Sequence, residues 1–224
     1  MTPRKLIIVG NSGFAEIAHE YFSYDSDYEV VGFSVEKAYR KVDRFCDKPN
    51  VDFEDLAKHF APAQHSVYVA ATYTQLNRLR ARMSGQAKQL GYALASYVSS
   101  RAFVWRNVRL GEHCFIFEDN TVQPFVQLGD NVLLWSGNHI GHHSVVRSDC
   151  FISSHVVVSG YCDIGQGTFL GVNSTISNNV TLARDNWVGP GVTITKNTEP
   201  GAMFKHTRAE PAAVSAPRFF KLEE

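Results

Sequence analysis

The sequence has no excess charge of either sign: 22 Lys and Arg stand against 22 Asp and Glu. Without a Lys/Arg-rich face to displace counterions, nucleic acid is not an expected partner. Long apolar runs are also missing. Near the start the longest is Leu6–Val9, far short of a signal-peptide core or of the roughly 20 residues that span a bilayer. A cytoplasmic protein without membrane insertion is therefore expected. Cysteine is scarce, at positions 46, 114, 150 and 162, with no C-x-x-C pair and no Cys/His cluster spaced for zinc. Free thiols and no metal site are expected.

What the chain has in abundance is a period. From Val104, every sixth residue through Leu110, Ile116, Val122 and on to Ile194 is aliphatic, sixteen in all. Two residues before each stands a small, β-branched or Asn residue, from Ala102 and Val108 to Val192. A period of six fits neither a 3.6-residue helix nor a hairpin, but suits a solenoid in which each hexad is one short strand and a turn. Three hexads then close one triangular coil. Glycine follows the aliphatic residue at 111, 129, 141, 165, 171 and 189, where a corner with positive φ is expected. Cys114 and Cys150, 36 residues apart, should lie two coils and about 10 Å from each other, too far for a disulfide.

Before the solenoid the texture changes. With 224 residues the chain is long enough for two small domains. Lys5–Val9 reads as a buried strand, Gly10-Asn11-Ser12-Gly13 as a turn, and Phe14–Tyr24 as a helix. Tyr28–Phe33 and Ser66–Ala71 read as further strands, Gln75–Leu90 as a crossover helix, and Tyr92–Val98 as a fourth strand. Strand, glycine turn and helix in that order place N–H groups where a phosphate is stabilised. The full G-x-G-x-x-G pattern is absent, and a glycine turn that merely starts a helix describes these residues equally well.

Three of the nine histidines fall in Gly137–Ser144, the densest titratable cluster of the solenoid. With Ile140 pointing inward, His142 and His143 lie outside, just after Gly141. A neutral imidazole there is suited to act as a general base near pH 7, although a histidine at a surface turn is more often idle.

A chain opening on Leu6-Ile7-Ile8-Val9-Gly10-Asn11-Ser12-Gly13 and continuing into gap-free hexads resembles the NeuD/PglD family of bacterial sugar acetyltransferases, over about Lys5 to Lys196. The resemblance implies an α/β, Rossmann-like nucleotide-sugar-binding domain (1–98), a left-handed parallel β-helix (99–204) and a C-terminal tail (205–224). It implies a homotrimer with acetyl-CoA between neighbouring β-helices and a nucleotide-linked amino sugar held by Gly10, Asn11, Ser12, Gly13 and Glu36. The family's Ile-x-His-Glu pattern aligns with Ile140-Gly141-His142-His143, which makes His142 the general base and puts His143 where relatives have an acid. Either His143 accepts a hydrogen bond from His142, or a carboxylate such as Glu118 or Asp119 orients it. A second family histidine, near the thioester, falls in phase on Phe151, with His155 close by. Gly171, Val172, Gly189 and Pro190 match turns that offer backbone groups to the coenzyme, and Lys196 matches a lysine near its phosphates. Lys205, Arg208, Arg218 and Lys221 make the tail mildly basic, for which solvated charge is the simpler account. The expected activity is acetyl-CoA-dependent N-acetylation of a 4-amino-4,6-dideoxyhexose on a nucleotide, in surface-glycan synthesis. The alternatives are O-acetylation of sialic acid or a related glycan, and a trimeric scaffold that binds a nucleotide sugar without catalysis.

Overall fold

The structure, a computed structural model, describes residues 3–206 and 211–221; Arg208 lies outside them. The chain opens β1 (Arg4–Val9), α1 (Gly13–Tyr24), β2 (Tyr28–Val35), β3 (Arg44–Phe45), β4 (Lys48–Asp52), α2 (Leu56–His59), β5 (His65–Val69), α3 (Arg78–Gln89) and β6 (Ala93–Leu94). These strands form one sheet in the order β3-β4-β2-β1-β5-β6, parallel except for the β3–β4 pair. Leu6 and Ile8 of β1 pack with Phe14, Ala15 and Ala18 of α1, while Ile7 and Val9 pack with Leu56 of α2 and Met83 and Ala87 of α3. A strand covered on both faces reads as an unbroken apolar run, which is why Leu6–Val9 shows no alternation.

From Tyr97–Val98 to Met203–Phe204 the chain runs as two-residue strands in three parallel sheets. Phe115 pairs with Leu133 and Leu133 with Phe151, an advance of eighteen residues per coil. Three hexads per coil, as the spacing predicts, put the aliphatic residues from Ile116 to Ile194 into one continuous buried core with Cys114, Cys150 and Cys162, with Val104 packed at its edge; Leu110, in the first coil, is exposed. All four cysteines are free.

Two local expectations change. Tyr92–Val98 is not one strand: Ala93–Leu94 borders the N-terminal sheet and Tyr97–Val98 begins a solenoid sheet. The helix expected from Gln75 starts at Arg78, because Gln75, Leu76 and Asn77 all have left-handed φ (53°, 49° and 68°), a run that L-residues adopt at a cost of about 1–2 kcal/mol each. Asn77 secures this turn from within, its buried amide donating to the carbonyl oxygens of Gly167 (3.2 Å) and Thr168 (3.4 Å).

The corner glycines also have a different cause from the one expected. Gly111, Gly129, Gly141, Gly165, Gly171 and Gly189 do not have positive φ. At the first five of them a Cβ would come within 2.7 Å of the backbone of the next coil, so glycine serves close approach. The left-handed residue of each corner comes two positions later, at 113, 119, 125, 131 and so on to 191.

One outward column explains how the two parts join. Tyr97, Phe115, Leu133, Phe151, Phe169 and Trp187 are the first residues of successive strands in one sheet. They pack with α1, Val30, Phe33 and Tyr68 in a single apolar cluster, each such side chain contributing about 1.5–3 kcal/mol on full burial. The equivalent column of the next sheet carries Phe103, Thr121, His139, Val157 and Thr175, of which Phe103 and Val157 are exposed.

Beside this seam lies a buried polar network. The Arg80 guanidinium, fully buried, donates to Asn131 Oδ1 (2.8 Å), the Asn131 carbonyl (2.8 Å) and the Cys150 carbonyl (3.2 Å). Asn131 in turn donates to Asp149 (2.7 Å). His113 accepts from the Val69 N–H at Nε2 (2.8 Å), so its proton is on Nδ1, which faces Asn131 Oδ1 at 2.8 Å. Burial, reinforced by the Arg80 charge, pushes the His113 imidazole down to about 3. Its folded value is below that of an unfolded histidine, so the unfolded chain binds the extra proton between about pH 6.5 and pH 3. Stability from this site is therefore complete above that window and is lost on acidification through it, by at most about 1.4 kcal/mol per pH unit. Urea unfolding from pH 7 to pH 4 is expected to show falling midpoints, and His113→Asn to show a shallower fall.

Candidate active site

The carboxyl ends of β1, β2 and β5 open into a pocket of about 410 Å³ lined by Val9, Val35 and Val69 together with Gly10, Asn11, Ser12 and Glu36. The strand order reverses at β1, since β2 lies on one side and β5 on the other, the place where open parallel sheets form a ligand crevice. Gly10 has φ +140°, and a Cβ there would stand 2.9 Å from the Ala70 carbonyl oxygen, so this glycine is required. Ser12 is the N-cap of α1 but its side chain makes no capping bond; the Ala15 and Glu16 N–H groups donate to its backbone carbonyl (2.8 and 3.2 Å), which leaves those of Gly13 and Phe14 to face an anion. Gly13 begins α1 behind this lining. Glu36 is held by both Arg82 Nη atoms, at 2.9 and 3.2 Å. Arg82 and Tyr39 complete the wall. Sequence reasoning missed Arg82 because it sits in α3, 46 residues from its partner.

The histidines of the solenoid occupy its edges. His142 and His143, both exposed, approach each other with Nδ1 to Nδ1 at 3.1 Å. The His142 N–H donates to Gln123 Oε1 (2.9 Å), and its ring lies over Gly160, where a Cβ would meet Cε1 at 2.8 Å and Nε2 at 2.9 Å. The His143 ring is stacked between Phe125 (4.6 Å, 28°) and Tyr161 (4.9 Å, 18°), and His142 meets the Tyr161 face edge-on at 5.0 Å.

The carboxylates considered as orienters stand elsewhere. Glu118 lies on a different edge, accepting from Tyr21 (2.6 Å) and Ser136 (2.6 Å). Burial works to raise its carboxyl, but the bonds from Ser136 and Tyr21 outweigh this and hold it below the ordinary value. Burial and the same contact push the Tyr21 phenol up to about 12. Asp119 follows Glu118 on that edge, where the eighteen-residue register aligns it with Gly137, His155 and Asn173. Thus His155, Val172 and Pro190 share one edge, with His155 lying over Gly137, while His142, His143 and Lys196 share the next. A single chain does not bring the two sets together. Phe151, in phase with the expected second histidine, is buried against Phe169 and Tyr73 at the seam. Among the described residues, no group of three or more His, Cys, Asp or Glu is placed to hold a metal ion.

No protein-family model matches the chain. Among solved structures it is similar to the acetyltransferase domain of PglB from Neisseria gonorrhoeae (21% identity, TM-score 0.80, covering 89% of this chain and 95% of that one). It is also similar to a variant of perosamine N-acetyltransferase from Caulobacter crescentus (21%, TM-score 0.81, covering 89% and 92%), whose structure contains CoA and GDP-perosamine. The chain has the fold of these sugar acetyltransferases. The three sheets of short parallel strands fit the left-handed β-helix expected of such a fold, and both neighbours are of the kind implied by the family resemblance. Within the described residues no helix is long and apolar enough to cross a membrane.

On this sugar-acetyltransferase fold the His142 ring rests against one replaceable atom. Gly160→Ala inserts a methyl group into the His142 ring but not into backbone, so the ring must rotate while the coil is unchanged. Thermal unfolding is expected to shift by no more than about 1 kcal/mol equivalent, and the histidine ¹⁵N spectrum to lose the His142–His143 coupling; an unchanged spectrum would show that Gly160 does not position the ring.

Proposed function

We propose that the protein transfers the acetyl group of acetyl-CoA to the amine of a nucleotide-linked amino sugar, with a 4-amino-4,6-dideoxyhexose as the sugar and surface-glycan synthesis as the setting. The observation that carries this reading is the exposed, hydrogen-bonded His142–His143 pair on the edge of a fold shared with acetyltransferases. The N-terminal sheet, residues 1–98, serves as a Rossmann-like nucleotide-sugar-binding domain. Gly10, Asn11, Ser12, Gly13 and the N-terminus of α1 face the diphosphate, and Glu36 with Arg82 faces the nucleoside. The β-helix, 99–204, carries the chemistry, and 205–224 is a tail. The GDP-perosamine in the Caulobacter enzyme supports a nucleotide-linked amino sugar as the acceptor class.

In the reaction, the sugar nitrogen bonds to the thioester carbonyl carbon as the carbon–sulfur bond breaks. His142 accepts the proton that nitrogen loses and returns it to the departing thiolate, so one imidazole serves as base and then as acid. Gly171, Val172, Gly189, Pro190 and His155 on one edge would line the coenzyme arm, and Lys196 on the next would meet its phosphates. Because these sets lie on different edges of one chain, a groove completed by a neighbouring copy suits them, and a homotrimer supplies three such grooves.

Thiol release from acetyl-CoA, measured against UDP-, dTDP- and GDP-linked 4-amino and 3-amino sugars with sialic acid alongside, tests the proposal. Turnover on an amino sugar is expected, falling by about 10²-fold or more in His142→Ala. It should rise from about pH 6 to about pH 9 as the sugar ammonium deprotonates. Turnover on sialic acid alone would make the reaction O-acetylation, and a fully active His142→Ala would remove the assigned base. Arg82→Ala, which frees Glu36, is expected to raise KM for the nucleotide sugar about tenfold with little change in kcat.

A further inference from the structure

The left-handed corner slot recurs every six residues from His113 to Gly191, fourteen times among the described residues. Twelve of the fourteen hold Asn, Asp, Gly or His, the residues that enter left-handed φ most readily. The exceptions are Phe125 (φ 66°) and Tyr161 (φ 59°). Bulky side chains are strained there, and neither ring is offset by burial, being 55% and 56% exposed. Both exceptions flank one residue: they lie one coil below and one coil above His143, face to face with its imidazole.

We infer that Phe125 and Tyr161 are positioning residues that lock His143 as the neutral acceptor for the His142 Nδ1 proton, leaving His142 Nε2 free to take the proton of the incoming amine. The inference rests on the proposed role of His142. An imidazole presents one donor and one acceptor nitrogen when neutral and two donors when charged. Two Nδ1 atoms at 3.1 Å therefore require that exactly one of them carries hydrogen. With the proton on His142 Nδ1, the pair does for His142 what a carboxylate does in a His–acid pair, fixing tautomer and ring orientation. A carboxylate holds its partner by charge; a neutral imidazole has no charge to contribute, and the two aromatic faces supply the restraint instead, each stack contributing about 0.5–1.5 kcal/mol. Among the described residues, the titratable groups in contact with the pair are its own two imidazoles and the Tyr161 phenol; Phe125, Gln123 and Gly160 are uncharged.

The test is a double-mutant cycle. Phe125→Asn and Tyr161→Asn place a better left-handed residue in each slot, so the combined variant should unfold at the same or higher temperature. In the native background it should lose about tenfold in kcat with KM for acetyl-CoA unchanged. In a His143→Asp background the same two substitutions should cost nothing, because a carboxylate does not need the stack. Independently of turnover, ¹⁵N spectra should show His142 protonated at Nδ1 and His143 at Nε2, becoming mixed tautomers in the Asn pair. Unchanged kcat and unchanged tautomers in the Asn pair, with His142→Ala inactive, would overturn the inference while the proposed function stands. An active His142→Ala would instead overturn the function, and the spectra would then decide the stack alone.

Discussion

Coil-to-coil hydrogen bonding at an eighteen-residue advance is the constraint on which everything else in this protein rests. Once Phe115 N–H bonds to the Val132 carbonyl and Leu133 N–H to that of Cys150, each side chain has its equivalents directly above and below it, about 4.8 Å away. A substitution at any position is therefore tested against two neighbours of the same geometry. That repetition accounts for the glycines at 111, 129, 141 and 165, which yield to backbone 2.5–2.6 Å from a would-be Cβ. It also creates columns, and the columns differ by what they must face: aliphatic inside, left-handed at the corners, and on one outer face aromatic.

The aromatic face turns a repetitive rod into a platform for the N-terminal sheet. Tyr97, Phe115, Phe117 and Trp135 meet the rings of Phe14, Tyr21 and Phe22 in α1, Phe151 and Phe169 meet Tyr73, and the polar network of Arg80, Asn131 and His113 pins α3 and the end of β5 at the border of this strip. Arg80 and Arg82 share α3: the first is anchored in the solenoid, the second reaches the pocket. The orientation of the pocket wall is thus fixed by a guanidinium that the solenoid satisfies. The left-handed turn at Gln75–Asn77 follows the same logic, since its strain persists because Asn77 is bonded to solenoid carbonyls while Gln75 lines the pocket.

How much of this the sequence discloses depends on whether the cause is periodic or long-range. The hexads disclose the solenoid, its three-per-coil closure and the exposed position of His142 and His143, because a period of six has few physical solutions. Gly10, Asn11, Ser12 and Glu36 converge on one pocket because strand, turn and helix are local signals. Arg82 is not legible, since its meeting with Glu36 depends on how α3 crosses the sheet. The seam was legible in principle: Tyr97, Phe115, Leu133, Phe151, Phe169 and Trp187 recur every eighteen residues, three hexads apart, but a search at period six averages this column with two polar ones. The corner glycines misled for a related reason, as glycine suits both positive φ and close approach, and only the neighbouring coil distinguishes them.

The meeting of His142 and His143 is itself a product of the corner. In extended chain, consecutive side chains point to opposite faces, and two adjacent imidazoles would have no contact. Left-handed φ at His143 (59°) breaks the alternation and brings the rings of neighbours in sequence to hydrogen-bonding distance. The slot that allows this is filled by Asn, Asp, Gly or His almost everywhere, so a histidine there, such as His113 or His155, needs no function to explain it. His142 stands outside the slot, and its ring is set by Gly160 below it, Gln123 beside it and His143 at its Nδ1. Position in the corner, rather than the count of histidines in the cluster, is what sets the His142 ring apart from the histidines that occupy the slot.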